Sequence, residues 1–225
     1  MAEPGLRRVY DEYRRNRRKR SAWDATNPGN ASARDELRAR LLGRLTASIR
    51  NEEMLDIGCG TGWLLHELAG ADIDPFLLHG VDLLPSRVRS AQTAVPEAAV
   101  RIGDARRLPY GDQRFGAVFL ILLLSSLASH TDVSVALGEA RRVTRPGGLI
   151  FCYENRIPNP FNPDTLYVRR KLLATALPSP SFESLTVLPP LARRLRLSSR
   201  SYRLLGATRI VRTHRLVTSK RDPAA

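Results

Sequence analysis

Hydrophobic and polar residues alternate in two patterns along the middle of the chain. Short apolar runs that end at a polar residue or a glycine are separated by segments whose apolar residues recur every three or four positions. The runs predict strands and the spaced segments predict helices. The predicted strands are 53–57, 77–82, 100–102, 115–124 and 149–153. Three helices are predicted between them: one that ends at 68, one over 86–94 and one over 133–143. Strand and helix in alternation predict a parallel sheet.

The amino-terminal part of the chain has a helical pattern instead. Segments 9–20 and 33–49 both predict helices, and the second carries an apolar stripe of Leu37, Leu41, Leu42 and Leu45. The polar loop between them contains Trp23, which either folds over a site as part of a lid or packs between the helices. We therefore expect a helical cap over 1–49 and a single α/β domain over 50–225.

A glycine-rich turn follows the first predicted strand. Residues 54–62 read M-L-D-I-G-C-G-T-G, with glycines at 58, 60 and 62. Glycine lets the backbone turn sharply and approach a ligand closely, as nucleotide-binding loops require. Asp56 precedes the glycines, where a negative charge would repel a phosphate group. The turn therefore favours a nucleoside ligand that carries positive charge.

Two further carboxylates end the next two predicted strands. Asp82 stands twenty positions after Gly62, where Rossmann-like folds place an acidic residue on the ribose hydroxyls. Asp104 follows the third strand in G-D-A-R-R-L-P, where it could also cap a turn. The carboxyl ends of parallel strands share one edge of the sheet, so we expect Asp56, Asp82 and Asp104 to face one crevice.

These motifs, over about 50–155, resemble the class I S-adenosylmethionine-dependent methyltransferases. The resemblance implies a Rossmann-like, seven-stranded and mostly parallel sheet with helices on both faces, whose last strand is antiparallel. It implies S-adenosylmethionine as the methyl donor and S-adenosylhomocysteine as the product. No metal is expected, because no pair of histidines and carboxylates has metal-ligand spacing. It places Asp104 and Ala105 near the adenine. The candidate cofactor-binding residues are thus Asp56, Gly58, Cys59, Gly60, Gly62, Asp82, Leu83, Asp104, Ala105 and Leu122.

The acceptor side is expected after the fifth strand, in the segment E-N-R-I-P-N-P-F-N-P. Its prolines give a stiff loop, which either shapes a substrate pocket or is purely structural. We interpret 154–182 as a substrate-loop insertion. His130 is the candidate general base, although proximity of donor and acceptor can suffice for this reaction. The candidate substrate-binding residues are Trp23, Ser126, Tyr153, Glu154, Asn155 and Arg156.

The net charge of +14 over 225 residues is carried by the two flanks. Residues 1–20 have eight Lys or Arg against three Asp or Glu, and 156–225 have fourteen against three. Such flanks fit an anionic substrate, a nucleic acid or an anionic membrane surface, or are solvated arginine-rich faces that bind nothing. Apolar runs are too short to span a bilayer, and the arginine-rich start has no apolar signal core, which predicts a cytoplasmic protein.

Cys59 and Cys152 are the two cysteines, and they offer neither a disulfide framework nor a metal set.

Short patches further resemble methyltransferases of bacterial polysaccharide and natural-product gene clusters. The predicted function is transfer of a methyl group to oxygen, with nitrogen as the alternative, of a small molecule or a glycan intermediate. An RNA methyltransferase or RNA-binding protein is a second interpretation, against which the basic stretches contain few aromatic residues. A non-enzymatic cofactor-binding regulator is a third.

Overall fold

A seven-stranded sheet organises the chain. The computed structural model describes residues 26–159 and 165–222. The strands are β1 Met54–Ile57, β2 Leu78–Asp82, β3 Ala99–Ile102, β4 Phe115–Ile121, β5 Thr144–Asn155, β6 Ser181–Val187 and β7 Arg212–Lys220. In the sheet they follow the order β3-β2-β1-β4-β5-β7-β6. The pairs β1–β2, β2–β3, β1–β4 and β4–β5 are parallel, which confirms the predicted parallel core of the sheet.

Helices connect these strands. In chain order they are α1 Pro28–Leu42, α2 Ala47–Arg50, α3 Trp63–Ala69, α4 Pro85–Ala94, α5 His130–Val143, α6 Arg170–Ala176, α7 Pro189–Arg194 and α8 Ser199–Gly206. Parallel strands need crossover connections, because a tight hairpin joins only antiparallel strands. Each crossover brings the chain back to the end of the sheet where the previous strand began, so the loops after β1, β2, β3 and β4 all lie at the carboxyl edge.

The last strand is antiparallel, as the sequence resemblance implied. Arg221, directly after β7, exchanges backbone hydrogen bonds of 2.9 Å with Gly147 and Gly148 near the start of β5. Arg215, near the start of β7, instead donates to the carbonyl of Asn155 at the end of β5 (3.0 Å). Opposite ends of the two strands are therefore neighbours.

Two predicted elements differ from the structure. Residues 33–49 do not form one helix, because α1 ends at Leu42 and the Thr46 hydroxyl accepts the N–H of Ile49 to begin α2. The fifth strand was predicted at 149–153 but begins at Thr144. R-P-G-G at 145–148 is an irregularity inside β5, since Phe115 pairs with Thr144 but Ala117 pairs with Leu149. Gly147 there has a φ of 73°, which glycine adopts without strain.

Two compact units can be distinguished. The larger covers 41–183 and 215–225, and one of its core clusters lies on one face of the central strands, where Val118, Leu120 and Ile150 pack with Val133 and Leu137 of α5. The smaller includes 184–214 and the segment up to Arg40. Its small core cluster is made by Val187, Ala192 and Tyr202.

Several predictions fall on residues that are not described, namely helix 9–20, the lid residue Trp23, and Pro160 and Pro163 of the proline-rich loop. The boundary at 49/50 and the insertion over 154–182 stay predictions. Within 26–159 and 165–222, no helix combines the length and the hydrophobicity that crossing a bilayer requires.

Candidate functional site

The turn after β1 is held by glycines in left-handed conformations. Gly58, Gly60 and Gly62 have φ values of 73°, 57° and 86°. The N–H groups of Gly58 and Cys59 donate to the carbonyl of Val81 at 2.7 and 3.0 Å, which fastens the turn to β2. A Cβ on Gly58 would come within 2.7 Å of Leu123, whereas a Cβ on Gly60 would meet no atom within 4 Å. The turn thus packs on one side and is open at Gly60.

Asp82 connects this turn to the loop after β2. Its Oδ2 accepts the N–H of Gly60 at 3.0 Å, and its Oδ1 accepts the N–H of Leu84 at 2.9 Å. The Arg87 guanidinium lies 3.9 Å from Oδ2. The buried carboxylate therefore fixes the conformation of both loops, and Leu83 lies between Asp82 and its partner Leu84.

Asp56 lies buried in β1, beside Gly80 of β2 in the sheet register. Its Oδ1 has no hydrogen-bond partner among the described residues. Burial, with the charge of Asp82, raises the pKa of this carboxyl well above its usual range. A buried carboxyl that lacks compensation favours a cationic ligand, because such a ligand would restore its ionised form.

The thiol of Cys59 lies in the same turn and is also buried. Burial raises the pKa of Cys59, followed by the effect of the Asp56 and Asp82 charges. The protonated thiol is a packing group, since only the thiolate is a strong nucleophile.

Asp104 is engaged by an arginine that the sequence reasoning missed. The backbone N–H of Arg106 donates to its Oδ1 at 2.8 Å, and the guanidinium donates to both carboxylate oxygens at 2.8 to 3.1 Å. The same guanidinium reaches Asp132 at 3.1 Å. Arg106 holds the pKa of Asp104 below its usual range. Ala105 between them is buried. A role for Asp104 and Ala105 beside an adenine stays a prediction.

The turn after β4 supplies two more predicted residues. Leu122 has a φ of 54° and donates its N–H to the carbonyl of Tyr153 at 2.8 Å. The Ser126 hydroxyl donates to the carbonyl of Leu123 at 2.6 Å. Leu166 donates its N–H to the carbonyl of Ser125 at 2.8 Å, so the segment after the undescribed loop residues contacts this turn.

His130 is the first residue of α5, and its ring is exposed. Its Nε2 lies 3.1 Å from the carbonyl oxygen of Tyr167. Asp132, the nearest carboxylate in sequence, instead accepts from Ser129 and Arg106. The described contacts therefore give His130 no carboxylate to orient it as a base.

Glu154 is the most unusual group at this edge. It is fully buried in β5, and its Oε1 accepts the N–H of Leu124 at 2.7 Å. Its Oε2 has no hydrogen-bond partner among the described residues. Burial raises the pKa of Glu154 to about 7, opposed by hydrogen bonds from Ser125 and Leu124 and by the charge of Arg215. Sequence reasoning placed Glu154 in the pocket but gave no signal for its ionisation.

Arg215 of β7 closes the same region. Its guanidinium donates to the carbonyls of Asn155 and Arg156 at 3.0 and 3.1 Å and to the Tyr167 hydroxyl at 3.4 Å. The Tyr167 hydroxyl also donates to the Arg156 carbonyl at 3.1 Å. Arg215 is buried, and its Nε has no partner among the described residues. Of the predicted substrate residues, Tyr153, Asn155 and Arg156 lie here.

The described part of the chain contains no group of three or more His, Cys, Asp or Glu side chains placed to hold a metal ion. Carboxylates, glycines and open backbone at the carboxyl edge of a parallel sheet form instead a site for an organic ligand.

Comparison with known families agrees with this geometry. Residues 55–152, which run from β1 to β5, match the family described as the methyltransferase domain. Over this range the chain is similar to a methyltransferase domain. The match covers the glycine turn, Asp56, Asp82 and Asp104, and it ends two residues before Glu154.

Two curated relatives of the chain are both named demethylmenaquinone methyltransferase. The demethylmenaquinone methyltransferase of Roseiflexus castenholzii is 35% identical over 148 residues, which are 62% of this chain and 59% of that protein. The demethylmenaquinone methyltransferase of Beutenbergia cavernae is 30% identical over 136 residues, 60% of this chain and 54% of that protein. The chain thus spans little more than half the length of these relatives.

The solved structures share the fold. Phosphoethanolamine N-methyltransferase 2 of Haemonchus contortus, in complex with S-adenosyl-L-methionine, matches with a TM-score of 0.70 at 15% identity. That match covers 98% of this chain and 61% of the other. At 15% identity, this similarity shows a shared fold and no more.

Proposed function

We propose that the protein is an S-adenosylmethionine-dependent methyltransferase that methylates an oxygen atom of a small molecule. The observation that carries the donor assignment is the buried Asp56, whose Oδ1 has no partner among the described residues, next to a glycine turn that is open at Gly60. When bound, S-adenosylmethionine supplies an electrophilic methyl group on a positively charged sulfur. Asp56 would compensate positive charge, and Asp82 would accept hydrogen bonds from ribose hydroxyls while it holds the turn.

The proposed acceptor side is the buried pair of Glu154 and Arg215. Each has one polar atom with no partner among the described residues, an acceptor on Glu154 and a donor on Arg215. Buried polar groups are normally satisfied, so a polar group of the acceptor is a suitable partner for both. A hydroxyl group fits, since it donates to the carboxylate and accepts from the guanidinium.

Glu154 would then take the proton of the acceptor. The bound donor would supply the methyl group and keep the electron pair of its carbon–sulfur bond, so the hydroxyl oxygen would gain the methyl group and lose its proton. The hydroxyl proton passes to Oε2 of Glu154, whose pKa of about 7 suits proton transfer near neutral pH. His130 is the alternative base, but its Nε2 faces the Tyr167 carbonyl. A nitrogen acceptor that enters neutral would need no base.

The curated relatives support a small-molecule acceptor, since both carry the name of a demethylmenaquinone methyltransferase. We therefore propose a phenol, a hydroquinone or a sugar hydroxyl of natural-product or glycan type as the acceptor. RNA is the alternative acceptor, because the two flanks of the chain are basic.

The test is transfer of radiolabelled methyl from S-adenosylmethionine to a panel of hydroquinones, catechols, sugars and RNA. The proposal expects label in a small hydroxylated acceptor, and loss of that transfer in Glu154→Gln with donor binding retained. Label in RNA alone, or transfer to a small molecule that Glu154→Gln leaves unchanged, would contradict it.

A further inference from the structure

Residues 189–211 form a surface segment that the proposed reaction does not use. It consists of α7, α8 and the short turn at 209–211. The inner sides of these elements pack on one cluster, to which Ala192, Tyr202, Leu205 and Val211 contribute. The opposite sides of the elements are therefore directed away from that cluster.

Large apolar side chains lie on the outward side. Leu195 is 57% exposed, Leu204 is 71% exposed and Ile210 is 89% exposed. These three residues lie within sixteen positions. Exposed apolar side chains that are concentrated in one segment typically mark an interaction site.

Arginines lie close to these apolar residues in the sequence. Arg194, Arg196, Arg200 and Arg203 are exposed, and Arg200 lies one helical turn before Leu204. The sequence from 184 to 214 contains seven arginines and no Asp or Glu. Within the described ranges, no ion pair involves these four exposed arginines. The segment therefore presents uncompensated positive charge next to apolar side chains.

We propose that this segment binds the surface of an anionic lipid bilayer. Leu195, Leu204 and Ile210 would enter the boundary between headgroups and acyl chains, and the arginines would contact lipid phosphates. This combination of a basic face and apolar side chains is typical of helices that lie in a membrane interface. The proposal is independent of methyl transfer, since lipid binding needs neither donor nor acceptor.

RNA fits this surface less well than lipid does. Proteins that bind single strands without sequence preference stack bases on aromatic side chains, and the aromatic residue of the segment, Tyr202, is buried. Aliphatic side chains such as Leu204 and Ile210 offer no comparable stacking surface. Basic residues alone would attract either polyanion, so the apolar residues decide between them.

The test is sedimentation of the whole protein with phosphatidylcholine vesicles, with and without phosphatidylglycerol. Binding should require phosphatidylglycerol and weaken with added salt. Leu204→Ser/Ile210→Ser should lower binding by about tenfold or more. The matched control is Phe76→Ser, because Phe76 is 72% exposed but lies in the turn before β2.

A second pair of variants tests the charge. Arg200→Gln/Arg203→Gln should weaken binding, whereas Arg89→Gln/Arg107→Gln, on exposed arginines elsewhere, should not. Circular dichroism would verify folding of each variant. Equal binding to neutral vesicles, equal loss in variant and control, or binding of single-stranded RNA without binding of vesicles would overturn the proposal.

Discussion

The Oδ2 atom of Asp82 accepts a hydrogen bond from the backbone N–H of Gly60 at 3.0 Å. The same carboxylate accepts the N–H of Leu84 through its other oxygen. Asp82 thus holds the glycine turn and the following loop in place before any ligand arrives. Donor binding and loop conformation are linked through this one side chain.

Replacement of Asp82 tests this link. Asp82→Ala should weaken S-adenosylmethionine binding by about 1.5 to 3 kcal/mol, which is typical of losing charge-assisted hydrogen bonds. It should also lower thermal stability, because two backbone N–H groups lose their acceptor. Asp82→Asn keeps one acceptor oxygen without the charge, so its effect on stability should be smaller. Isothermal calorimetry and thermal melts measure both, and unchanged donor affinity in Asp82→Ala would disprove the assignment.

Gly58 and Gly60 should respond differently to the same substitution. Gly58→Ala would place a methyl group 2.7 Å from Leu123 and should destabilise the fold. Gly60→Ala has only the backbone cost of a left-handed alanine, about 1 to 2 kcal/mol, because its Cβ meets nothing within 4 Å. We expect Gly60→Ala to remain folded and to lose donor affinity, since the methyl group would occupy the open side of the turn. If both variants keep full donor affinity, the turn does not contact the donor.

Glu154 should make stability depend on pH. Its pKa rises from an ordinary 4.5 to about 7 on folding, so the folded state binds the proton more tightly than the unfolded state. The resulting stabilisation is present below pH 4.5 and is lost as pH rises through 7. Glu154→Gln cannot ionise and should be more stable than wild type above pH 7, by on the order of 3 kcal/mol, with little difference near pH 5. Urea unfolding at both pH values measures this.

If Glu154 is also the base, wild-type turnover should rise with pH through about 7. Turnover by Glu154→Gln should be low and insensitive to pH over the same range. A wild-type profile that Glu154→Gln reproduces would leave proton transfer to another group, with His130 as the next residue to replace.

Two buried tyrosines provide a matched comparison of stability. The Tyr202 hydroxyl accepts the N–H of Val187 at 3.0 Å and donates to Glu36 at 3.3 Å. The Tyr110 hydroxyl is buried with no partner among the described residues. Tyr202→Phe should cost about 1 to 3 kcal/mol because it leaves a buried N–H unpaired, whereas Tyr110→Phe should be neutral or stabilising. Equal losses in chemical denaturation would contradict the described hydrogen bonding.

The sequence predicted the fold where local patterns determine structure. Apolar runs located the central strands β1 and β4, since a parallel strand buried on both faces is largely apolar. The break between α1 and α2 was missed because the apolar stripe continues to Leu45, past Gly43 and the end of α1 at Leu42. The bulge in β5 was missed because Arg145–Gly148 is locally a turn sequence, and only pairing with β4 shows that the strand continues around it.

The candidate site was predictable to a different extent on its two sides. Asp56 and Asp82 could be predicted as candidate donor-site residues, because each lies at or near the carboxyl end of an apolar run. The Arg106 bridge from Asp104 to Asp132 joins residues far apart in sequence, so spacing gives no sign of it. The burial of Glu154 and its contact with Leu124 depend on two strands lying side by side, which sequence periodicity does not specify.

The most direct measurement is calorimetric titration of the wild-type protein and of Asp56→Asn with S-adenosylmethionine and S-adenosylhomocysteine, in two buffers of different ionisation enthalpy. Because burial raises the pKa of Asp56, binding of the cationic donor to wild type should release protons, and Asp56→Asn should bind more weakly and release fewer. The absence of binding to folded wild-type protein, or identical binding and proton release in the variant, would contradict the proposed donor site.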